Sequence, residues 1–290
     1  MKNLALMQER LLLLDESLII QGDARVALPN LPDESVQCCV TSPPYWSLRD
    51  YGIPGQIGLE ASIEEFLNRL VAVFSEVKRV LSKNGVLWLN IGDAYTSGDR
   101  GYRAPDKKNP VRAMTYRPNT PEGLKPKDLI GIPWRLALAL QKDGWYLRSD
   151  IVWHKPNCMP ESVKDRPTRA HEYVFLLSKS EQYFYDYESV REANGRNRRS
   201  VWSIATQPFR EAHFATFPVT LVEPCILAGS RLGDFVLDPF FGSGTVGVVA
   251  QSLGRRFVGI ELSPEYVHIA NKRLASLAER HSTSAEIVGE

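Results

Sequence analysis

The sequence predicts an α/β protein built on a doubly wound, mostly parallel sheet. Three observations predict it. Short apolar runs alternate along the chain with longer segments of helical periodicity. One run, FVLDP, hands over to a helix through a glycine-rich turn, the usual geometry at the carboxyl edge of a parallel sheet. Another, VQCCVT, ends on a double proline, where a central strand has to leave its sheet.

Taken in order, SLIIQ (Ser17 to Gln21) reads as a buried strand after a short leading helix, and Val36 to Thr41 as a second. Ile63, Phe66, Leu67, Leu70, Phe74, Val77 and Leu81 recur at helical spacing, with Asn84-Gly85 as the stop. GVLWLNI (Gly85 to Ile91) follows as a strand, and Ala94 to Lys127 is a long, polar, basic loop. A helix runs from Asp128 to Lys142 up to Gly144. Trp145 to Lys155, Tyr173 to Leu177 and Tyr183 to Tyr187 read as three strands, and Asn194 to Ser200 as a basic loop. A helix over Pro218 to Ala228 precedes FVLDP. A helix (Thr245 to Leu253), a strand (Arg256 to Glu261) and a last helix from Pro264 complete the pattern, with a mobile tail expected from His281.

Composition bounds the function classes. The chain has 290 residues, 43% of them hydrophobic, enough for one sizeable core. A formal net charge of +1 leaves any nucleic-acid face to local clustering. The four cysteines include no CxxC spacing, so neither a metal ligand set nor a redox pair is expected. Leu11 to Leu14 are flanked by Glu9, Arg10, Asp15 and Glu16, which leaves no secretory h-region. No stretch approaches the roughly 20 apolar residues of a membrane span. A cytoplasmic protein is expected.

The turn DPFFGSGTVG (Asp238 to Gly247) lets a ligand approach backbone N–H groups closely. The next strand closes on Glu261, whose carboxylate can accept both hydroxyl protons of a ribose. Together they form a nucleoside-binding half-site. Gly242, Gly244 and Gly247 also match GxGxxG, so an NAD enzyme is a rival. Little chain follows Gly247 to build a second mononucleotide-binding half, and a dehydrogenase has no use for the upstream prolines.

TSPPYW (Thr41 to Trp46) forms a stiff turn, since proline also restricts the residue before it. It holds the Ser42 hydroxyl, the Pro43 carbonyl and the Tyr45 ring as one array. A nucleobase amino group is a poor nucleophile because its lone pair is delocalised into the ring. Two acceptors for its N–H bonds favour a pyramidal nitrogen, and a flat aromatic ring holds the base by stacking. Ser42 need not be a strong base, because the proton can leave after the nitrogen has reacted.

The two motifs together resemble motifs IV and I of the β-class DNA amino-methyltransferases, whose cofactor segment follows the catalytic one in a circular permutation. The resemblance covers nearly the whole chain. IIQGDA (Ile19 to Ala24) matches the segment ahead of motif IV, GVLWLNIGDAY motif VI, HEYVFLLSKS motif VIII and HFATFPVTLVEPCILAGS motif X. It implies a Rossmann-like, permuted sheet of seven strands with one antiparallel strand pair, and S-adenosylmethionine as cofactor. Residues 17–187 would form the catalytic segment and 213–275 the cofactor segment of a single domain spanning 1–290. By that likeness Ser42, Pro43, Pro44 and Tyr45 are catalytic. Asp23 contacts the adenine, Glu261 the ribose, and Asp238 lies by the methionine moiety. Phe240, Gly242 and Gly244 form the FxGxG loop. Pro239, Ser243, Thr245, His213 and Phe217 complete the cofactor site. SPPY is the usual form in cytosine-N4 enzymes, although some adenine-N6 enzymes carry it too.

Double-stranded DNA is the implied partner. The resemblance also admits a cognate restriction endonuclease, and a monomer or homodimer. Arg100, Arg103, Lys107, Lys108 and Arg112 form one basic cluster in the 95–127 insertion; Arg196, Arg198 and Arg199 form another in 188–212. Both are natural phosphate contacts in a DNA enzyme. Cys225 follows Pro224, the pairing of cytosine-C5 enzymes, but it sits in a helix and reads as a structural thiol. His154 and His171 read as structural. A DNA-binding regulator that has lost activity is the non-enzymatic alternative, opposed by the intact SPPY and FGSG. RNA or protein glutamine are minor alternative substrates.

Overall fold

The computed structural model describes residues 16–98, 101–104, 113–207 and 217–287, with side chains up to residue 277. The leading helix and Arg100, Lys107, Lys108, Arg112 and His213 lie outside the described residues.

Eight strands form one sheet: β1 (Leu18–Gln21), β2 (Val36–Thr41), β3 (Leu81–Ile91), β4 (Tyr146–His154), β5 (His171–Ser178), β6 (Val201–Ser203), β7 (Phe235–Asp238) and β8 (Arg256–Glu261). Their spatial order is β1-β8-β7-β2-β3-β5-β4-β6. Only β5 among them runs antiparallel to its neighbours, β3 and β4. The helices are α1 (Ala24–Ala27), α2 (Ile63–Val80), α3 (Ile132–Lys142), α4 (Val219–Gly229), α5 (Thr245–Ser252) and α6 (Pro264–Ile287). None of the helices among the described residues is long and apolar enough to cross a membrane.

The strands are continuous apolar runs because both faces of the sheet are covered. Alternate residues divide between two cores. Cys39, Leu87 and Leu89 join Phe66, Leu70 and Phe74 of α2. Cys38, Val86 and Trp88 join Val222 and Ile226 of α4 and Val249 of α5. The α2 helix starts where Ser62 accepts the Glu65 N–H at 3.1 Å, with Glu64 and Glu65 in its first turn and Lys78 and Arg79 in its last. Both features suit the helix dipole.

Several details differ from the sequence expectation. The sheet has eight strands rather than seven. Tyr183 to Tyr187 is not a strand: its aromatics pack instead, with Tyr185 6.4 Å from Trp88 and Arg148 over Tyr183. The unforeseen edge strand β6 is anchored by Trp202, buried 6.1 Å from the same Trp88. The α3 helix begins at Ile132 rather than Asp128. Asp128 closes the preceding turn on the Lys125 N–H, and Asp93 accepts the free N–H groups of Gly131 and Ile132. The α2 helix stops at Val80, four residues before Asn84-Gly85, and Leu81 pairs directly with Val36. Finally, α6 continues through His281 to Ile287, where a mobile tail was expected.

Candidate active site

The sheet topology lines up residues that are far apart in sequence. Along its carboxyl edge stand Asp23 after β1, Glu261 ending β8, Asp238 ending β7, Ser42 after β2 and Gly92 after β3, followed by Glu172 at the start of antiparallel β5.

The proline turn is joined directly to the glycine loop. Thr41 donates its hydroxyl proton to Asp238 Oδ1 at 2.6 Å, and the Phe240 N–H donates to the same oxygen at 3.0 Å. Asp238 Oδ2 is buried and makes no hydrogen bond among the described residues. Burial pushes this carboxyl up to about 7, against the two hydrogen bonds, with the Glu261 charge adding to the rise. A buried acceptor left open beside a nucleoside half-site fits the cationic, amino-acid end of S-adenosylmethionine.

Glu261 ties the loop from the other side. Its two oxygens accept the Gly242 N–H at 2.6 Å and the Ser263 N–H at 2.7 Å. Burial raises its pKa, partly offset by these amides. Each oxygen keeps a lone pair for a sugar hydroxyl. Gly244 sits at φ +80°, and a Cβ there would lie 2.9 Å from Ala270 Cβ, so α6 packs onto the loop through a glycine. Phe240 meets Phe74 edge-on at 6.5 Å. Pro239 is buried behind the loop. The hydroxyls of Ser243 and Thr245 both accept from Arg273 Nη1, at 2.9 and 3.1 Å. They clamp the loop to α6, a role the sequence did not disclose.

Asp23 stands at the end of β1 as expected, and its carboxylate is already engaged. It accepts the Arg25 N–H at 2.9 Å and pairs with the Arg25 guanidinium. Burial works to raise its pKa, but the Arg25 hydrogen bonds and charge hold it below the usual carboxylate range. Phe217 reaches the site from the other face, beside Val40, Thr41 and Asn90.

Ser42, Pro43, Pro44 and Tyr45 leave the sheet as one turn. Ser47 N–H donates to the Gly58 carbonyl at 2.8 Å, and Trp46 Nε1 to the Glu60 carbonyl at 3.0 Å, which holds the turn against residues 58–60. The Tyr45 hydroxyl donates to Glu172 Oε2 at 2.8 Å. The other Glu172 oxygen is paired with Lys155, itself 4.1 Å from the centre of the Trp153 ring. Burial and the Glu172 charge push the Tyr45 phenol well above its usual range, so it stays a donor. The Tyr45 ring lies against Gly92, where a Cβ would come within 2.6 Å of Cε2.

Sequence reasoning therefore missed Thr41, Gly92, Lys155, Glu172 and Arg273. Glu172 had a signal, a carboxylate heading the otherwise apolar strand HEYVFLLS; the others become visible only through contacts between distant strands.

The two basic clusters part company. Arg103 Nη1 donates to the Leu48 carbonyl at 3.3 Å, just beyond the proline turn. Arg196, Arg198 and Arg199 lead into β6, the edge strand beyond β4, whose Val201 is level with Val152 near the carboxyl end of β4. Arg198 lies 4.5 Å over the Trp202 ring, and Arg199 pairs with Glu192 at 3.1 Å. Cys225 is buried in α4, and burial raises its thiol pKa far above the usual range. His154 Nδ1 lies 3.0 Å from Ser203 Oγ, and His171 packs edge-on to Tyr173 at 5.4 Å.

The DNA methylase family of the N6/N4 type matches residues 36–272. The chain is 69% identical over 265 residues to the type II methyltransferase M.Cfr9I of Citrobacter freundii, a match that covers 90% of this chain and 88% of that one. Its fold is similar to that of the PvuII DNA methyltransferase (cytosine-N4-specific), at TM-score 0.69 and 23% identity over 89% of this chain and 86% of that one. A protein of Thermus thermophilus described as a DNA modification methylase, solved with S-adenosyl-L-methionine, superposes at TM-score 0.64 and 28% identity over 90% and 94%. A glycine loop, an open buried carboxylate and an SPPY turn on one sheet edge thus agree with the matches: the chain belongs to the N6/N4 DNA methylase family, the S-adenosylmethionine-dependent DNA methyltransferases.

Proposed function

We propose that this DNA methyltransferase acts on the exocyclic N4 of a cytosine rotated out of the duplex, at a specific site. The observation that carries the reading is the serine at the head of the proline turn, Ser42, beside an aromatic ring held by Glu172. A target amino group inside a duplex points into its base pair, so the base leaves the stack to react. Tyr45 then stacks on it, while the Ser42 hydroxyl and Pro43 carbonyl accept the amino protons. When bound, S-adenosylmethionine supplies the electrophilic methyl group. Asp238 and Phe217 would hold its methionine end, Glu261 its ribose, and Asp23, through the oxygen lone pairs that Arg25 leaves open, its adenine. Pro239 and the Phe240–Thr245 loop shape the wall between them. The chain contributes placement and aligned acceptors rather than a strong base.

Residues 95–127, through Arg103, are assigned to DNA contact. Relatives such as M.Cfr9I carry the name type II methyltransferase, which supports a place beside a restriction endonuclease in the cytoplasm. Mass spectrometry of digested DNA from expressing cells tests the base: N4-methylcytosine is expected. N6-methyladenine would move the assignment to adenine, and 5-methylcytosine would remove the role given to Ser42. Replacing Ser42 by Ala removes one acceptor aimed at the transition state. Methyl transfer should slow on the order of 100-fold in single-turnover assays, with cofactor affinity nearly unchanged.

A further inference from the structure

Beside the catalytic turn lies a cleft of about 580 Å³ to which no role has yet been given. Trp46 and Leu48 form one wall and residues 93–97, following β3, the other. Arg103, Arg117 and Arg169 all line it. Its two carboxylates are already engaged. Asp93 accepts the N–H groups of Ala94, Gly131 and Ile132, and Glu161 is paired with Arg166 at 2.7 Å. The lining therefore carries more guanidinium than carboxylate charge. Two lining groups also have unmet polar atoms: Arg169 Nη1 and Ser97 Oγ are buried and make no hydrogen bond among the described residues. Buried donors left open in a polar cavity mark the place of an absent acceptor.

The acceptor that fits is an anion, and the anion of DNA is its phosphodiester. A guanidinium that reads a base edge has to project into the groove of a stacked duplex. The Nη1 of Arg169 is instead buried in the cleft wall, so its partner must come to it. The cleft opens beside the chain that follows the Ser42 turn, where the backbone flanking a nucleotide rotated toward Ser42 would pass. We propose that the cleft is a phosphodiester site, in which Arg169 and Ser97 hold the backbone phosphate next to the rotated nucleotide. This rests on DNA being the substrate at the Ser42 turn.

The test uses the full chain and a duplex carrying the site that modification-aware sequencing identifies. Arg169→Ala should weaken binding on the order of tenfold. It should lower the slope of log affinity against log salt by about 0.9, the value of one phosphate contact, while Arg169→Lys keeps the slope. In a scan of single neutral methylphosphonate linkages along the target strand, one position should weaken the wild type and leave Arg169→Ala no weaker. Stabilisation by S-adenosylmethionine, unchanged in both variants, shows that they are folded. An unchanged salt slope in Arg169→Ala overturns the proposal, as does a loss that follows one base pair and no linkage. Wild-type protein that methylates the duplex while Arg169→Ala behaves identically rejects the cleft alone; wild-type protein that binds no DNA rejects the cleft and the function together.

Discussion

The cofactor role proposed for Asp238 makes binding depend on pH. Its carboxyl, pushed up to about 7 by burial, has an ordinary value of 3.8. An acid raised in the folded state holds its proton more tightly folded than unfolded. From this residue, stability rises as pH falls from about 7 toward 3.8 and is flat above 7. A cationic ligand group at Oδ2 favours the ionised form, so cofactor binding expels the proton. Affinity for S-adenosylmethionine should fall as pH drops below about 7, with proton release detectable by calorimetry in buffers of different ionisation heat. Asp238→Asn should remove the step near 7 and leave only the contribution of Glu261, whose pKa burial also raises. A constant affinity from about one and a half units below that value to one unit above it would reject the assignment. Gly92 makes a second prediction at this scale. A Cβ there would meet Tyr45 Cε2 at 2.6 Å and Glu172 Cδ at 3.2 Å. Gly92→Ala should displace the stacking ring and lose about 1–3 kcal/mol of retention of the rotated base. Fluorescence of an unstacked base analogue at the target position reads this directly, and the cofactor's calorimetric affinity should hold.

At the scale of elements, the cofactor half depends on a close approach between the glycine loop and β8. The Phe241 ring lies flat over Gly259, where a Cβ would fall 2.4 Å from its Cγ, and it stacks on Phe257 at 5.5 Å. Strand β8 is buried on both faces, so the ring has no room to retreat. Gly259→Ala should destabilise the protein by about 1–3 kcal/mol in urea denaturation, the usual cost of overpacking. It should also weaken cofactor binding, because Phe241 precedes Gly242, whose amide is anchored on Glu261. A stable variant with wild-type affinity would show that the loop is not braced in this way. Most elements were legible in the sequence because their periodicity records burial: β2, β7 and β8 appear where the apolar pattern puts them, and α2 and β3 appear with their shared boundary moved from Asn84-Gly85 to Val80-Leu81. The exceptions have a physical cause. Tyr183 to Tyr187 alternates like a strand, but its residues pack across the sheet instead of extending it. Val201–Ser203 is too short to show a period and is held by one buried tryptophan.

At the scale of the whole molecule, strand order separates the two basic clusters. Arg103 bonds the chain just after the Ser42 turn, and Arg198 and Arg199 lead into β6, four strands across the sheet from β2. The double variant Arg198→Ala with Arg199→Ala should therefore bind a short duplex containing the site with an unchanged salt slope. A slope lowered by about one unit per lost contact would place DNA around the β6 edge after all. Cofactor binding is the complementary global measurement: S-adenosylmethionine should raise the melting temperature in a concentration-dependent way, and NAD should not.

The sequence by itself determined the fold class, the permuted order of the motifs and the identities of the two turns. These are local properties: a proline cannot continue a central strand, and a glycine turn between strand and helix opens backbone amides. Ser42, Tyr45, Asp238 and Glu261 could be named because each stands at or just beyond the end of a strand. Only the tertiary structure decided what these residues touch. That Thr41 binds Asp238, that Glu172 and Lys155 hold Tyr45, that Arg273 takes up the hydroxyls of Ser243 and Thr245, and that Arg169 faces the cleft all follow from strand order and direction. Those contacts join positions distant in the chain, and no pattern within a short window of sequence records them. They exist because parallel strands from opposite ends of the chain present their ends along one edge.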